Sequence, residues 1–442
     1  QSEWQGKQAG AANVTFMQKR RPVSHDLAAP LPDGVTTPHD WGDRPIPTAG
    51  ADAPRAVDTA VTEAMRRHGI VGCGVCVLRA GRVLFARGYG YADREKERPF
   101  LPTTATRCGS LAKPVTALCA LLLCDAGKLR LDEPILPLLK EVGIMPKPTG
   151  RRRGADERIA RITVRHLMDH TSGLPRGATY TAWRPNRDVG AAHRLNRVAT
   201  AADVAAAALG NFDLEDEPGA SFRYANANYV LLARVVEARG GMPFGDFLAR
   251  VLAPRFDVPA NEVFVSRNQD APDSPARGAN EAAYYQTSAE RYVSYRPEER
   301  ARGQMWGEAY RGYATEASDG AGGIACSALA LGKVLANLSG ARPTLAAASL
   351  HEIATAPDAW RKRPDFDPRE TRFYSKGFYV YNHRGEARPL LAHGGMTNHC
   401  GGVIGYNAGY RFVAVSNGNT PAGPYVDALL DRALAESVKE MG

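Results

Sequence analysis

Ser110-Leu111-Ala112-Lys113 is the single S-x-x-K of this chain, and it opens an apolar stretch, 115–123, that reads as a buried helix. A serine and a lysine three residues apart near a helix start share one face, so the amine can take the proton of the hydroxyl. A lysine at its ordinary pKa of ~10.4 is already protonated, so burial or a second proton-sharing group has to free its lone pair. Tyr224-Ala225-Asn226, the single Y-x-N, precedes another apolar helical run. A phenol beside an ammonium can ionise, accept the serine proton and return it to a leaving group. His393-Gly394-Gly395-Met396 lies before a β-rich segment, and its glycines let backbone N–H groups approach a tetrahedral oxyanion.

These residues need a scaffold, and 442 residues can bury a large core. A hydrophobic content of 44% with 44 Gly and 30 Pro fits a mixed α/β enzyme with many loops. A helix over 55–68 and a hairpin of 71–78 and 83–91 around Ala80-Gly81 come first. Helical and loop segments fill 131–318, with periodic runs at 162–170, 201–209 and 229–239. Strand-like runs return at 378–381, 402–406 and 410–416, before a closing helix over 425–439. The expected division is an irregular, proline-rich arm over 1–54, an α/β sheet domain from 55–130 and 319–442, and an inserted, mostly helical domain over 131–318.

The net charge of +9 is dispersed, and Arg151-Arg152-Arg153 is followed at once by Asp156 and Glu157, a solvated loop rather than a nucleic-acid face. No apolar run reaches the ~18 residues of a membrane span. Seven cysteines, an odd number set mostly in apolar runs, favour reduced thiols and lean towards a cytoplasmic setting, although a chain beginning at Gln1 leaves export open. Cys73 and Cys76 match C-x-x-C but face opposite ways on a strand. Cys108 and Cys400 read as packing residues close to the catalytic segments. His166 and His170 have a zinc-like spacing without a third ligand, and no metal or organic cofactor is expected. Tyrosines and arginines alternate through 284–313, a segment long enough to be a lid or binding loop.

In order, S-x-x-K, Y-x-N and H-x-G resemble the serine β-lactamase and penicillin-binding-protein superfamily, in its class C-like branch with the family VIII esterases and D-amino-acid peptidases. Gly88-Tyr89-Gly90-Tyr91-Ala92-Asp93, the segment 162–174 and Gly320-Ala321-Gly322-Gly323-Ile324 resemble it too, over roughly 55–440. The resemblance implies a class C β-lactamase-like fold: an antiparallel sheet flanked by terminal helices, with a mostly helical insertion. It implies Ser110 as acylated nucleophile, Lys113 and Tyr224 sharing the proton transfers, and Asn226, His393, Gly394 and Gly395 binding substrate. Ser110 and Met396 would supply the oxyanion N–H groups. His383-Arg384-Gly385 also fits H-x-G but sits in a hairpin turn. His-Gly-Gly replaces the usual Lys-Thr-Gly, so a fixed charge for a substrate carboxylate is missing, a loss of ~1.5–3 kcal/mol for such substrates. The expected function is a serine hydrolase or esterase acting on a small ester or amide. The alternatives are an acyltransferase using an amine or alcohol acceptor, a D-amino-acid peptidase or β-lactamase, and a non-turnover ligand-binding protein. No G-x-S-x-G is present to support an α/β-hydrolase.

Overall fold

The computed structural model describes residues 39–149, 154–176, 189–190, 192–286, 291–364, 366–367, 372–382, 389–397, 399–407 and 409–419. Helix α1 (Arg55–His68) has Asp58 in its first turn and Arg66, Arg67 and His68 in its last, which suits the helix dipole, and Gly69 ends it at φ 63°. It buries Val57, Val61 and Met65 on a face set by the four-residue spacing. Strands β2 (Gly72–Arg79) and β3 (Arg82–Asp93) follow as a hairpin, with Ala80 and Gly81 both at positive φ, the turn geometry that matches strand twist.

Alternation along β2 divides the core. Cys73, Val75 and Val77 join the α1 cluster, whereas Cys76 and Leu78 join the main core on the opposite face. The C-x-x-C pair therefore occupies two separate cores. Every cysteine is a free thiol.

The main sheet is antiparallel, and its far half comes from the end of the chain. These strands are β8 (Arg372–Ser375), β9 (Phe378–Tyr381), β10 (Leu390–Met396), β11 (Gly401–Asn407) and β12 (Tyr410–Ser416). Their order is β3-β2-β12-β11-β10-β9-β8, with β12 against β2 in register from Tyr410↔Arg79 to Ser416↔Cys73. His393-Gly394-Gly395-Met396 thus lies within a strand rather than ahead of one. The rival His383 and the expected closing helix over 425–439 fall outside the described residues.

The irregular arm expected over 1–54 gives way, at its described end, to ordered structure. Strand β1 (Thr48–Gly50) adds to the edge of β3, Trp41 is 3% exposed, and its indole N–H donates to the Ile70 carbonyl at 2.9 Å. A three-residue strand among prolines carries no readable period.

Between the sheet halves lie helices α2 (Ala112–Asp125), α3 (Ile135–Glu141), α4 (Val164–Met168), α5 (Ala201–Asn211) and α6 (Asn226–Gly240). Helix α2 is buried on every side from Ala112 to Leu123 and packs against α6. A buried ion pair ties this region to the sheet: Lys376 in the β8–β9 turn reaches Asp169 after α4, Nζ lying 3.0 and 2.9 Å from the two carboxylate oxygens.

A second, three-stranded sheet, β5 (Thr106–Arg107), β7 (Ile324–Cys326) and β6 (Val263–Val265) in that order, leads into the serine segment. Arg107 is buried there and must be satisfied by neighbours. Its guanidinium donates to Ser266 Oγ (2.9 Å), the Ala309 carbonyl (3.0 Å) and the Arg267 carbonyl (3.1 Å), and stacks on the Tyr284 ring at 4.4 Å. Tyr284, Tyr292, Tyr295 and Tyr310 are buried as well. Within the described parts of 284–313, Tyr284 and Ala309 pack on Arg107, while residues 301–305 are exposed next to the paired strands at 292–293 and 305–306.

Candidate active site

Strand β5 delivers the chain to a 3-10 turn, Gly109–Leu111, that runs directly into α2. Gly109 holds φ 53°, which re-aims the backbone so that Ser110 sits at the helix mouth. One turn on, Lys113 is completely buried, and its amine lies 2.9 Å from Ser110 Oγ and 2.7 Å from the Ala321 carbonyl. That carbonyl belongs to the glycine-rich turn Asp319–Gly323, which is held on α2 by the Thr116 hydroxyl donating to Gly320 O at 2.8 Å. Arg234 of α6 pairs with Asp319 from the other side.

Tyr224 comes from the extended residues ahead of α6, where Arg223 N–H donates to the His170 carbonyl at 2.7 Å. Ser110 lies close enough to act on its phenol, and the Lys113 amine stands 4.9 Å from its ring centroid. Asn226, half-buried, opens α6 two residues later.

His170, at φ 55° just beyond α4, packs its ring 4.3 Å from that of Tyr224 and 4.8 Å from that of Tyr374. Its Nδ1 accepts from the Ala225 N–H at 3.3 Å, so the neutral ring carries its proton on Nε2. His166 instead caps its own helix through the Thr163 N–H. The two histidines with zinc-like spacing therefore serve separate tasks.

Strand β10 closes the other wall. Its ladder with β9 ends at Ala392, while the ladder with β11 continues through Met396. Beyond Ala392 the β9-side edge of β10 lies against the serine turn. A Cβ on Gly395 would stand 2.1 Å from the Cys108 carbonyl and 2.7 Å from Ser110 N, and one on Gly109 would stand 2.7 Å from Met396 N. Only glycines permit this close approach of strand and turn backbones. His393 is buried, donates from Nδ1 to the Gly394 carbonyl at 2.7 Å, and faces the Tyr374 hydroxyl with Nε2 at 3.3 Å.

Burial governs the charges of this site. It pushes Lys113 well below the ordinary lysine range and Tyr224 above the ordinary phenol range. It lowers His170 as well, and takes His393 to about 3, with the nearby Lys113 adding to both. The phenol expected to ionise is thus the group that burial keeps protonated, and the amine is the group driven towards its free base. Cys108 and Cys400 are fully buried, and desolvation lifts Cys400 to about 12, so neither offers a thiolate to the cleft.

The family model described as beta-lactamase matches residues 57–436. The chain belongs to the beta-lactamase family. Among curated relatives, esterase EstB of Burkholderia gladioli is 33% identical over 198 residues, covering 42% of this chain and 45% of that protein. Protein flp of Staphylococcus aureus (strain MW2) is 30% identical over 186 residues, covering 42% of this chain and 33% of that protein. These matches span less than half the length of either relative. Two solved structures share the fold. EstCE1, described as a hydrolase with promiscuous acyltransferase activity, gives a TM-score of 0.60 at 22% identity, covering 86% of this chain and 97% of that one. The D-amino acid amidase of Ochrobactrum anthropi SV3, complexed with L-phenylalanine amide, gives 0.59 at 21% identity, with 87% and 98% covered.

Family membership accounts for the shared fold; Ala321 and His170 lie in segments that resemble the family but carry no role assigned from sequence, and Tyr374 lies in none of those segments. Ala321 acts through its carbonyl, so its side chain carries no signal. Tyr374 reads as an ordinary strand residue. His170 reads from sequence as the end of a short helix in His170-Thr171-Ser172-Gly173, and its spacing from His166 resembles a metal pair.

Proposed function

We propose that this beta-lactamase-family chain is an acyl-serine enzyme, a hydrolase of small esters or amides. One observation carries the reading: Ser110 Oγ lies 2.9 Å from the buried Lys113 amine, with the half-buried Tyr224 phenol beside the same hydroxyl. In this reading Ser110 Oγ attacks the carbonyl carbon as its proton passes to the Lys113 amine. The carbonyl π electrons move onto oxygen, which the Ser110 and Met396 N–H groups receive. Collapse of the intermediate expels the leaving group, protonated through the Tyr224 hydroxyl, which is resupplied from Lys113. Water repeats the sequence on the acyl-enzyme and releases the acid. Asn226, His393, Gly394 and Gly395 line the substrate side. A neutral His393 leaves no cation at the third motif, which favours substrates without a carboxylate next to the scissile group.

The test is intact-mass analysis after incubation with a p-nitrophenyl short-chain ester and, separately, with a fluorophosphonate, beside a Ser110→Ala control. One adduct that is lost in the control is the expected result, and no adduct with either probe overturns the reading. Adding a primary amine or alcohol acceptor separates hydrolysis from acyl transfer. Exclusive release of the free acid at high acceptor concentration would discard the transacylase alternative.

A further inference from the structure

Arg372 opens β8 at an exposed position, in register with Tyr381 on β9. Its guanidinium lies 5.3 Å from the ring centroid of Tyr379 and 6.0 Å from that of Tyr381. No carboxylate among the described residues pairs with it. Lys376, in the turn that follows the same strand, is committed to Asp169. A guanidinium resting on aromatic faces keeps its N–H edge available for a planar, two-oxygen acceptor.

This cation connects to the cleft through rings. Tyr379 is half-buried, its centroid is 5.6 Å from that of His393, and His393 is 6.5 Å from Tyr224, which lies close to Ser110. Arg176, coming from the helical side, lies close enough for its charge to act on both Tyr224 and Tyr379. Positive potential therefore converges on the Tyr379 face from two elements, while the third motif itself is uncharged.

We propose that Arg372, stacked on Tyr379 and Tyr381, is a specificity-determining residue that holds a substrate carboxylate several atoms removed from the scissile carbonyl. The proposal rests on the acyl-serine reading and adds the substrate class: half-esters or half-amides of dicarboxylic acids, and acyl groups ending in a carboxylate. Tyr379 stands 5.6 Å from His393 and His393 6.5 Å from Tyr224, so Arg372 reaches the cleft across two rings, and the carboxylate it takes is several atoms from the scissile carbonyl. Because the stack already orients the fork, the carboxylate orders little additional structure on binding.

The experiment has a binding arm and a turnover arm. Ser110→Ala protein is titrated by NMR with monomethyl adipate and with dimethyl adipate. The monoanion is expected to bind about tenfold tighter, the scale of one solvent-exposed charge-assisted bond. Adding Arg372→Gln should erase the difference, Arg372→Lys should restore part of it, and added salt should weaken it. Equal affinities for the two adipates, or a preference that survives Arg372→Gln with thermal melting unchanged, overturns the proposal. The intact enzyme is then assayed with mono-p-nitrophenyl adipate against p-nitrophenyl hexanoate. The ratio of kcat/KM values should fall about tenfold on Arg372→Gln. Discrimination in the binding arm without turnover of either ester supports the carboxylate site and overturns the acyl-serine reading alone.

Discussion

Adding one methyl group at Gly395 should disable the oxyanion site while the same change at Gly394 is tolerated. The new Cβ at position 395 would stand 2.1 Å from the Cys108 carbonyl, 2.7 Å from Leu111 N and 2.7 Å from Ser110 N. A carbon–oxygen contact settles at about 3.3 Å, so strand and turn must separate by about 1 Å. All three atoms belong to backbone, and no side chain can swing aside. A misplacement of that size costs about 10²-fold, and loss of one oxyanion donor costs about 10²–10³ in kcat. At position 394 nothing lies within 4 Å of the added carbon, so strand and turn keep their places and any cost of a methyl on the substrate side should fall on KM rather than kcat. The assay is steady-state hydrolysis of p-nitrophenyl acetate, with thermal melting of both variants to confirm folding. A folded Gly395→Ala enzyme within tenfold of the parent kcat would refute the assignment of the two amides.

Tyr224→Phe should lower kcat by ~10²–10⁴ if the phenol relays the proton, and full activity would remove it from the mechanism. Lys113→Met should abolish acylation and change how stability depends on pH. Burial holds the native lysine below its unfolded value of ~10.4, so the unfolded chain binds the extra proton and the parent loses stability as pH falls through that window. The melting temperature of Lys113→Met relative to the parent should therefore rise as pH falls below the unfolded lysine value of ~10.4; a flat difference would contradict the burial argument. Lys376→Met strands Asp169 and should cost about 3–5 kcal/mol in urea unfolding, with Asp169→Leu in the same chain recovering part of it; additive losses would deny the coupling.

Local spacing made the serine and lysine legible, because three residues of helix place them together whatever surrounds them. The α1–hairpin start was legible for the same reason: Val57, Val61 and Met65 keep a helical period, and Ala80-Gly81 marks the turn. Contacts between distant segments left weaker traces. The segment 284–313 reads from its length as a lid or binding loop, and the contact between Tyr284 and Arg107, 177 residues earlier, leaves no trace in that length. His170 reaches Ala225 across 55 residues through a ring nitrogen, a relation no helical or strand period encodes. The proton preferences of Lys113 and Tyr224 were the subtlest matter. Sequence placed an amine beside a phenol, and only their burial shows which one is driven to lose its proton.

The absence of any carboxylate partner for Lys113 among the described residues gives the resting cleft an unusual economy of charge. Its amine, two imidazoles and phenol are each pushed by burial towards the uncharged form. Attack by Ser110 would then create an anion on the carbonyl oxygen and a cation on the lysine in the same event. Opposite charges born together, a few bonds apart in a medium of low polarity, attract each other without either having first been stripped of water. The dry interior that makes an isolated ammonium expensive becomes, for that pair, the reason the intermediate is held.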